Sequence, residues 1–299
     1  MENNFKSGFV AIVGKPNVGK STLLNKILKQ KISIVSPKPQ TTRNKITGIY
    51  NDKDCQIVFL DTPGMHKAKN TLDKYMEKSI NIAMEGIDCL IYILDGLKPF
   101  EDTELEKIKN YASCMPVILV VNKIDESCYE KLYPKLAKLN ELQDVKEIIP
   151  LSAKVGKNVD VLIENLLKYI PHGPCYYPQD VVSDKTEQFI AGEIIREKAL
   201  WLLNEEIPHG IAVVINSFKE QKDIVKIDAT MICEKEGHKK IIIGANGEKL
   251  KHLAENARKD IEKMLGKKVY LSIWIKVKEA WRDNDFQVAD LGYNIKNID

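Results

Sequence analysis

The run Gly14-Lys15-Pro16-Asn17-Val18-Gly19-Lys20-Ser21 constrains this chain more than any other feature. It matches the pattern GxxxxGK[ST], and it lies between an apolar run at 9–14 and a helical pattern over 19–30. A strand that passes through a glycine-rich turn into a helix gathers free backbone N–H groups at one point. The helix dipole adds partial positive charge there. Such a turn cradles phosphate. In it Lys20 can reach the β- and γ-phosphates of a nucleotide and the Ser21 hydroxyl can ligate Mg²⁺.

A turn of this kind needs a covered sheet around it, and the first 170 residues supply the pattern. Further apolar strands are expected at 55–60, 88–95, 116–122 and 147–151. Helices are expected over 72–84, 103–111, 128–139 and 159–169. Near-continuous apolar strands alternating with helices imply an α/β domain, a mostly parallel sheet with helices on both faces. The prolines and glycine of 171–178 then break any helix, so 171–183 is expected to be a linker. Beyond it come a helix over 186–204, strands at 211–218, 223–233 and 239–243, a helix over 248–265 and a strand at 269–277. This is an α+β pattern. The expected domains are 1–170 and 184–299.

Composition narrows the class. A chain of 299 residues can bury two cores, and no apolar run approaches the roughly 20 residues of a membrane span. The polar first residues predict no signal peptide. Six cysteines without CxxC spacing predict reduced thiols, most of them in the core, and five histidines show no ligand spacing. His66 is expected in an exposed loop. Trp201 and Trp274 are expected in the core, and Trp281 either packs or stacks on a base. The net charge of +3 is small, but residues 239–278 carry eleven Lys or Arg against four Asp or Glu. That excess fits either a solvated helix face or the footprint of a polyanion.

Three further motifs stand at expected strand ends. Asp61-Thr62-Pro63-Gly64 places a carboxylate where it can hold Mg²⁺ through a water, and the Gly64 N–H can meet a γ-phosphate. Taken alone it also fits a simple turn. Asn122-Lys123-Ile124-Asp125 offers a carboxylate that can accept from guanine N1–H and N2–H₂, donors that adenine lacks. Alone it also fits a helix cap. Ser152-Ala153-Lys154 closes the last strand, where a backbone N–H can meet the guanine oxygen.

In this order the motifs resemble a translation-factor-type GTPase domain over residues 6–170. The resemblance implies GTP or GDP bound by Gly14 through Ser21, Thr22, Asp61, Thr62, Pro63, Gly64, Asn122, Lys123, Asp125, Ser152, Ala153 and Lys154. It implies that Lys20, Thr42, Asp61 and Gly64 serve catalysis, with Mg²⁺ held by Ser21, Thr42 and Asp61. Gln40-Thr41-Thr42-Arg43 sits at the family's first switch, and the likeness favours Thr42 over Thr41. Met65 departs from the Ras-like pattern, whose glutamine there orients the attacking water. The resemblance is therefore to GTPases with a hydrophobic residue at this point. In some of these a phosphate-loop Asn holds K⁺, and Asn17 stands in that position. Slow intrinsic hydrolysis is expected.

The second half carries Gly244-Ala245-Asn246-Gly247 inside its basic stretch, between the strand expected at 239–243 and the helix at 248–265. A GxxG loop can clamp about four nucleotides through its backbone, and two glycines at a turn also fit a purely structural role. The arrangement resembles a type II KH domain over 184–290. That likeness implies RNA contacts from Ile243, Gly244, Ala245, Asn246, Gly247, Lys249, Lys251 and Arg258. With the stretches 193–198 and 205–209, the whole chain is similar to the Era family of bacterial ribosome-assembly GTPases. Membership implies binding to the 3′ end of 16S rRNA and to the 30S subunit by a cytoplasmic monomer, with weak peripheral attachment to the inner membrane face. The rival classes are an ATP-using P-loop enzyme, against which Asp125 argues, and an RNA-binding module that senses nucleotide without turnover.

Overall fold

Strands β1 (Lys6–Gly14), β2 (Ile46–Asn51), β3 (Cys55–Asp61), β4 (Cys89–Asp95), β5 (Val117–Asn122) and β6 (Glu147–Pro150) form one sheet in the computed structural model, which describes residues 5–294. The order is β2-β3-β1-β4-β5-β6, parallel except for β2 on β3. Every residue of β3, β4 and β5 is buried, as expected of strands covered on both faces. The strand order turns back at β1, which lies between β3 and β4. In open α/β sheets ligands bind beyond the strand ends at such a point, and the phosphate turn leaves β1 there. Helices α1 (Lys20–Leu28), α2 (Thr71–Ala83), α3 (Asp102–Ala112), α4 (Tyr129–Leu139) and α5 (Val159–Leu166) follow the expected alternation. Strand β2 was not expected. Its sequence, ITGIYN, is short and broken by glycine, so only pairing with β3 defines it.

The C-terminal elements are α6 (Glu187–Leu202), β7 (Ala212–Glu220), β8 (Ile224–Cys233), α7 (Glu236–Ile243), α8 (Glu248–Leu265), β9 (Lys268–Val277) and α9 (Asp285–Asp290). The sheet order is β7-β8-β9, antiparallel then parallel. Ile194, Ile195, Ile242, Leu253, Ala257 and Ile261 from the helices pack on Val225, Ile227, Ala229 and Met231 of β8. The strand expected at 239–243 is a correction: these residues end helix α7. Three isoleucines in a row satisfy strand propensity, yet only Ile242 is buried, and Glu236 starts the helix. The observed order is therefore α-β-β-α-α-β.

Contacts divide the described chain into two units. The first contains residues up to Ser33, 42–66 and Ser79–Asp184. The second contains Ile34–Thr41, Lys67–Lys78 and the chain from Lys185 onward. Residues 171–183, expected as a linker, form no helix or strand but are tied to the first unit. Ser7 N–H donates to Pro171 O at 3.0 Å and Ile49 N–H to Val182 O at 2.8 Å. The Gln56 side chain holds Tyr176 and Tyr177 N–H. Residues 1–4 and 295–299, covered by the expected domains and the signal-peptide reading, lie outside the described residues.

Candidate nucleotide site and nucleic-acid interface

Gly14 ends β1, Gly19 precedes α1, and between them Lys15 and Pro16 are half-buried, Asn17 is exposed and Val18 is buried. Lys20 is 6% exposed, and its ammonium donates to Gly14 O and Lys15 O, both at 3.2 Å. Burial pulls its pKa down to about 8, against the opposing charge of Asp61. Asp61, at the end of β3, is fully buried, which pushes its carboxyl up despite Lys20 and two hydroxyl donors. Ser21 Oγ donates to Asp61 Oδ2 at 2.7 Å and lies 2.8 Å from Thr42 Oγ1. Thr41 turns away: its hydroxyl donates to Lys38 O at 2.7 Å. Thr22 is half-buried in the first turn of α1.

Ser21, Thr42 and Asp61 therefore converge, and the geometry can be tested against a divalent ion. Asp61 Oδ1 is buried without a hydrogen-bond partner among the described residues. A buried carboxylate oxygen left unpaired beside two hydroxyls is costly unless something meets it, and this is a hard-oxygen donor set that Mg²⁺ prefers. The residues fit the ion. Sequence reasoning missed Ser33, whose hydroxyl donates to Asp61 Oδ2 at 2.8 Å. An isolated serine in a loop gives no signal of that contact.

On the base side, the Asn122 side chain does scaffold work. Its Nδ2 donates to Val18 O at 2.8 Å and its Oδ1 accepts from Ala153 N–H at 2.9 Å. The phosphate turn and the Ser152–Lys154 turn are thereby tied together, and the Ala153 N–H is committed to protein. Ser152 is buried and its hydroxyl accepts from Val155 N–H, while Lys154 is exposed and pairs with Glu126. Lys123 forms an ion pair with Asp95 at 2.8 Å. Asp125 stands exposed in a 3-10 turn after β5.

The second motif packs against the phosphate turn. Pro63 and Gly64 are buried, and a Cβ on Gly64 would lie 2.9 Å from Pro16 Cα, so only glycine fits this approach. Thr62 Oγ1 donates to Ile12 O at 2.8 Å, a structural bond. Met65 N–H donates to Gly14 O, and its side chain packs against the apolar cluster of Val13, Leu60 and Leu94. His66 is half-buried rather than exposed, with Nδ1 2.9 Å from Gly64 O.

The segments 34–41 and 67–78 belong to the second unit, which no sequence signal suggested. Val35 N–H donates to Glu197 Oε1 at 2.9 Å, and Trp201 Nε1–H donates to Val35 O at 2.9 Å. Arg196, fully buried, is paired with Glu193 and donates to Thr41 O. Gln40 Nε2 donates to Asp73 Oδ1 at 2.7 Å. Trp201 was expected in the core but is 57% exposed. Its apolar neighbours in sequence suggested burial, while helix geometry turns it outward. Trp281 is fully buried and its indole donates to Gly210 O, so it packs.

The Gly244–Gly247 turn joins α7 to α8. Gly244, Asn246 and Gly247 take positive φ values of 73°, 50° and 78°, and no atom lies within 4 Å of a Cβ on Gly247. The turn thus presents open backbone that a phosphodiester can approach. Ala245, Asn246 and Lys251 are exposed, and Ile243 and Lys249 half-exposed. Arg258 lies farther along α8 and pairs with Glu262 at 3.1 Å, so part of its charge is already met. The expectation of mostly buried cysteines is corrected: Cys55, Cys89 and Cys233 are buried, whereas Cys114, Cys128 and Cys175 are exposed. No group of three or more His, Cys, Asp or Glu side chains placed to hold a metal occurs among the described residues.

Comparison with known proteins agrees with this geometry. The family described as "50S ribosome-binding GTPase" matches residues 9–123, and the KH domain family matches residues 206–282. GTPase Era of Clostridium botulinum (strain Kyoto / Type A2) is 51% identical over 296 residues, covering 97% of this chain and 98% of that protein. GTPase Era of Clostridium novyi (strain NT) is 51% identical over 293 residues, with 97% and 99% covered. A crystal structure of Era in complex with MgGDPNP and nucleotides 1506–1542 of 16S ribosomal RNA superposes with a TM-score of 0.92 at 39% identity, over 97% of this chain and 99% of that one. A point variant of Aquifex aeolicus Era bound to GDP·AlF4⁻ gives 0.93 at 39% identity, with the same shares covered. With the glycine-rich turn after β1, the Asn122–Asp125 motif after β5 and the GxxG loop between α7 and α8 all in one chain of matching length, this protein belongs to the Era family of GTPases.

Proposed function

We propose that this GTPase is a monomeric, nucleotide-controlled RNA-binding protein that acts on the 3′ end of 16S rRNA during assembly of the 30S subunit. The observation that carries this reading is the open GxxG turn between α7 and α8 in the same chain as the Ser21–Thr42–Asp61 cluster. Support comes from the Era complex with MgGDPNP and nucleotides 1506–1542 of 16S rRNA, similar over 97% of this chain.

In this reading the backbone from Gly14 to Thr22 holds the phosphates and Lys20 neutralises them. Ser21, Thr42 and Asp61 hold Mg²⁺, which when bound offsets charge on the phosphate oxygens. Gly64 N–H meets the γ-phosphate, and Asp125 accepts from guanine. Exposed Asn17, at φ 64°, is a candidate K⁺ contact that adds charge where no glutamine stands. Equal hydrolysis rates in Na⁺ and K⁺ rule that part out. Ala245, Asn246, Lys249 and Lys251 meet RNA around the turn, with Arg258 at the far end of the helix.

Coupling between the two activities runs through the first switch. The Thr41–Thr42 peptide joins the Mg²⁺ cluster to a segment held by Arg196, Glu197 and Trp201 of α6. Ordering or releasing Thr42 therefore pulls on backbone that the second unit grips, and the effect must be reciprocal. The work belongs in the cytoplasm. A weak peripheral attachment at the membrane's inner face would not use a spanning helix, since none among the described residues is long and apolar enough.

The test is fluorescence anisotropy with a single strand copied from the 3′ end of 16S rRNA, with GDP and then a non-hydrolysable GTP analogue. Tighter binding with the analogue, lost in an A245D/N246D variant, is the expected result. Binding no better than a scrambled strand in both states sinks the ribosomal assignment.

A further inference from the structure

The three-stranded sheet of the C-terminal unit has two faces; the helix-covered core uses one, and the other is covered only at one end, where Ala212 and Ile232 are buried in the row of Lys276. α6, α7 and α8 cover the face that carries Val225, Ile227 and Ala229. Residues paired across strands point to the same side, so the register defines the other face. One row there is Lys219–Lys226–Tyr270, and another is Val214–Thr230–Trp274. Tyr270 and Trp274 are 61% and 65% exposed, although Trp274 was expected in the core. The strand's alternation explains that correction: Ile273 and Ile275 point inward and Trp274 between them points out.

Two large aromatic rings left in water on one strand are unusual for a solvated sheet face, where polar residues suffice. Their surroundings are basic. Lys219, Lys226, Lys268 and Lys276 are exposed, and against them the paired rows of this face carry one carboxylate, Asp228. The floor between the rings is polar, with Ser272 between them and Thr230 beside Trp274. Thr230 Oγ1 already accepts from Asn216 Nδ2 at 2.8 Å, but a lipid or an apolar protein surface would leave the Ser272 hydroxyl and the lysines unmatched, whereas bases, riboses and phosphates offer both hydrogen bonds and charge. The rings are four residues apart on a strand, about 13 Å, too far for one base to cover both.

We propose that this open sheet face binds single-stranded RNA, stacking separate bases on Tyr270 and Trp274 while Lys219, Lys226, Lys268 and Lys276 hold the phosphates. The proposal rests on the reading of the C-terminal unit as an RNA-binding domain and adds a second surface to it. The GxxG turn joins helices on the opposite face, so an RNA that meets both must be longer than the roughly four nucleotides one such turn clamps.

The test uses the full chain and two labelled single-stranded RNAs, one of six nucleotides and one of twenty-four. Y270S/W274S and K226Q/K276Q change only exposed side chains, and circular dichroism confirms their fold. The short RNA is expected to bind the sheet variants as it binds the parent, and to be lost by A245D/N246D. The long RNA is expected to bind Y270S/W274S about tenfold or more weakly. For K226Q/K276Q the slope of log affinity against log salt is expected to fall by roughly 1.4, about 0.7 for each phosphate contact removed. Sheet variants that bind the long RNA as the parent does overturn this proposal and leave the GxxG reading standing. If the parent binds neither RNA, both fall. If Y270S/W274S loses only co-sedimentation with anionic vesicles, or only self-association, the face serves lipid or a second copy and the proposal is overturned.

Discussion

Asn122→Ala separates scaffold from ligand contact at the Asn122–Asp125 motif. The Asn122 side chain is 3% exposed and bridges Val18 O and Ala153 N–H at 2.8 and 2.9 Å. Alanine removes both bonds and leaves a buried carbonyl and a buried N–H unmatched, each at about 1–3 kcal/mol. The N-terminal unit should therefore lose about 2–5 kcal/mol even without nucleotide. For a unit of this size each kcal/mol lowers the transition by roughly 2–4 °C, so the midpoint should fall by about 5–15 °C. Asn122→Asp keeps the Ala153 contact but sets an acceptor against Val18 O, so it should be no better. The assay is thermal unfolding of nucleotide-free protein, followed by circular dichroism, beside a GDP titration. If Asn122→Ala unfolds within about 0.5 kcal/mol of the parent while GDP affinity collapses, the side chain acts on the ligand and this reasoning is wrong.

Lys20 gives a pH signature. Its pKa lies near 8 in the nucleotide-free protein, and phosphate should return it toward its ordinary 10.5, so binding above pH 8 takes up a proton and affinity falls as pH rises. Calorimetry in buffers of different ionisation enthalpy at pH 9 should register that uptake, and none would contradict the assignment. Met65→Gln should not accelerate hydrolysis, because the side chain at 65 packs against the apolar cluster that includes Val13 and Leu60. Single-turnover phosphate release more than tenfold faster would refute this. Arg196→Ala leaves the Glu193 carboxylate without its partner and should destabilise the C-terminal unit by about 3–5 kcal/mol in urea unfolding, with Arg196→Lys intermediate.

Local order in the chain was enough for much of this protein. The phosphate turn, the buried strands around it and the Asp61 and Asn122 motifs were legible because each depends on neighbours in sequence: a strand, a turn, a helix start. The same holds for helix α8 and its GxxG entry. Strand β2 was hidden because an edge strand of six residues is defined by its partner. Helix α7 read as a strand because three isoleucines carry strand propensity and only packing shows that one of them is buried. Trp201 and Trp274 read as core for a related reason: apolar neighbours mark the element, while its rotation decides which side chain meets water. Ser33 at Asp61, the Asn122 bridge and the grip of α6 on residues 34–41 join positions 28 to 166 residues apart. Residue types and short-range spacing determined what chemistry this chain carries. Which groups meet across such separations was decided by tertiary structure alone, because those contacts exist only once the sheet and its covering helices have closed.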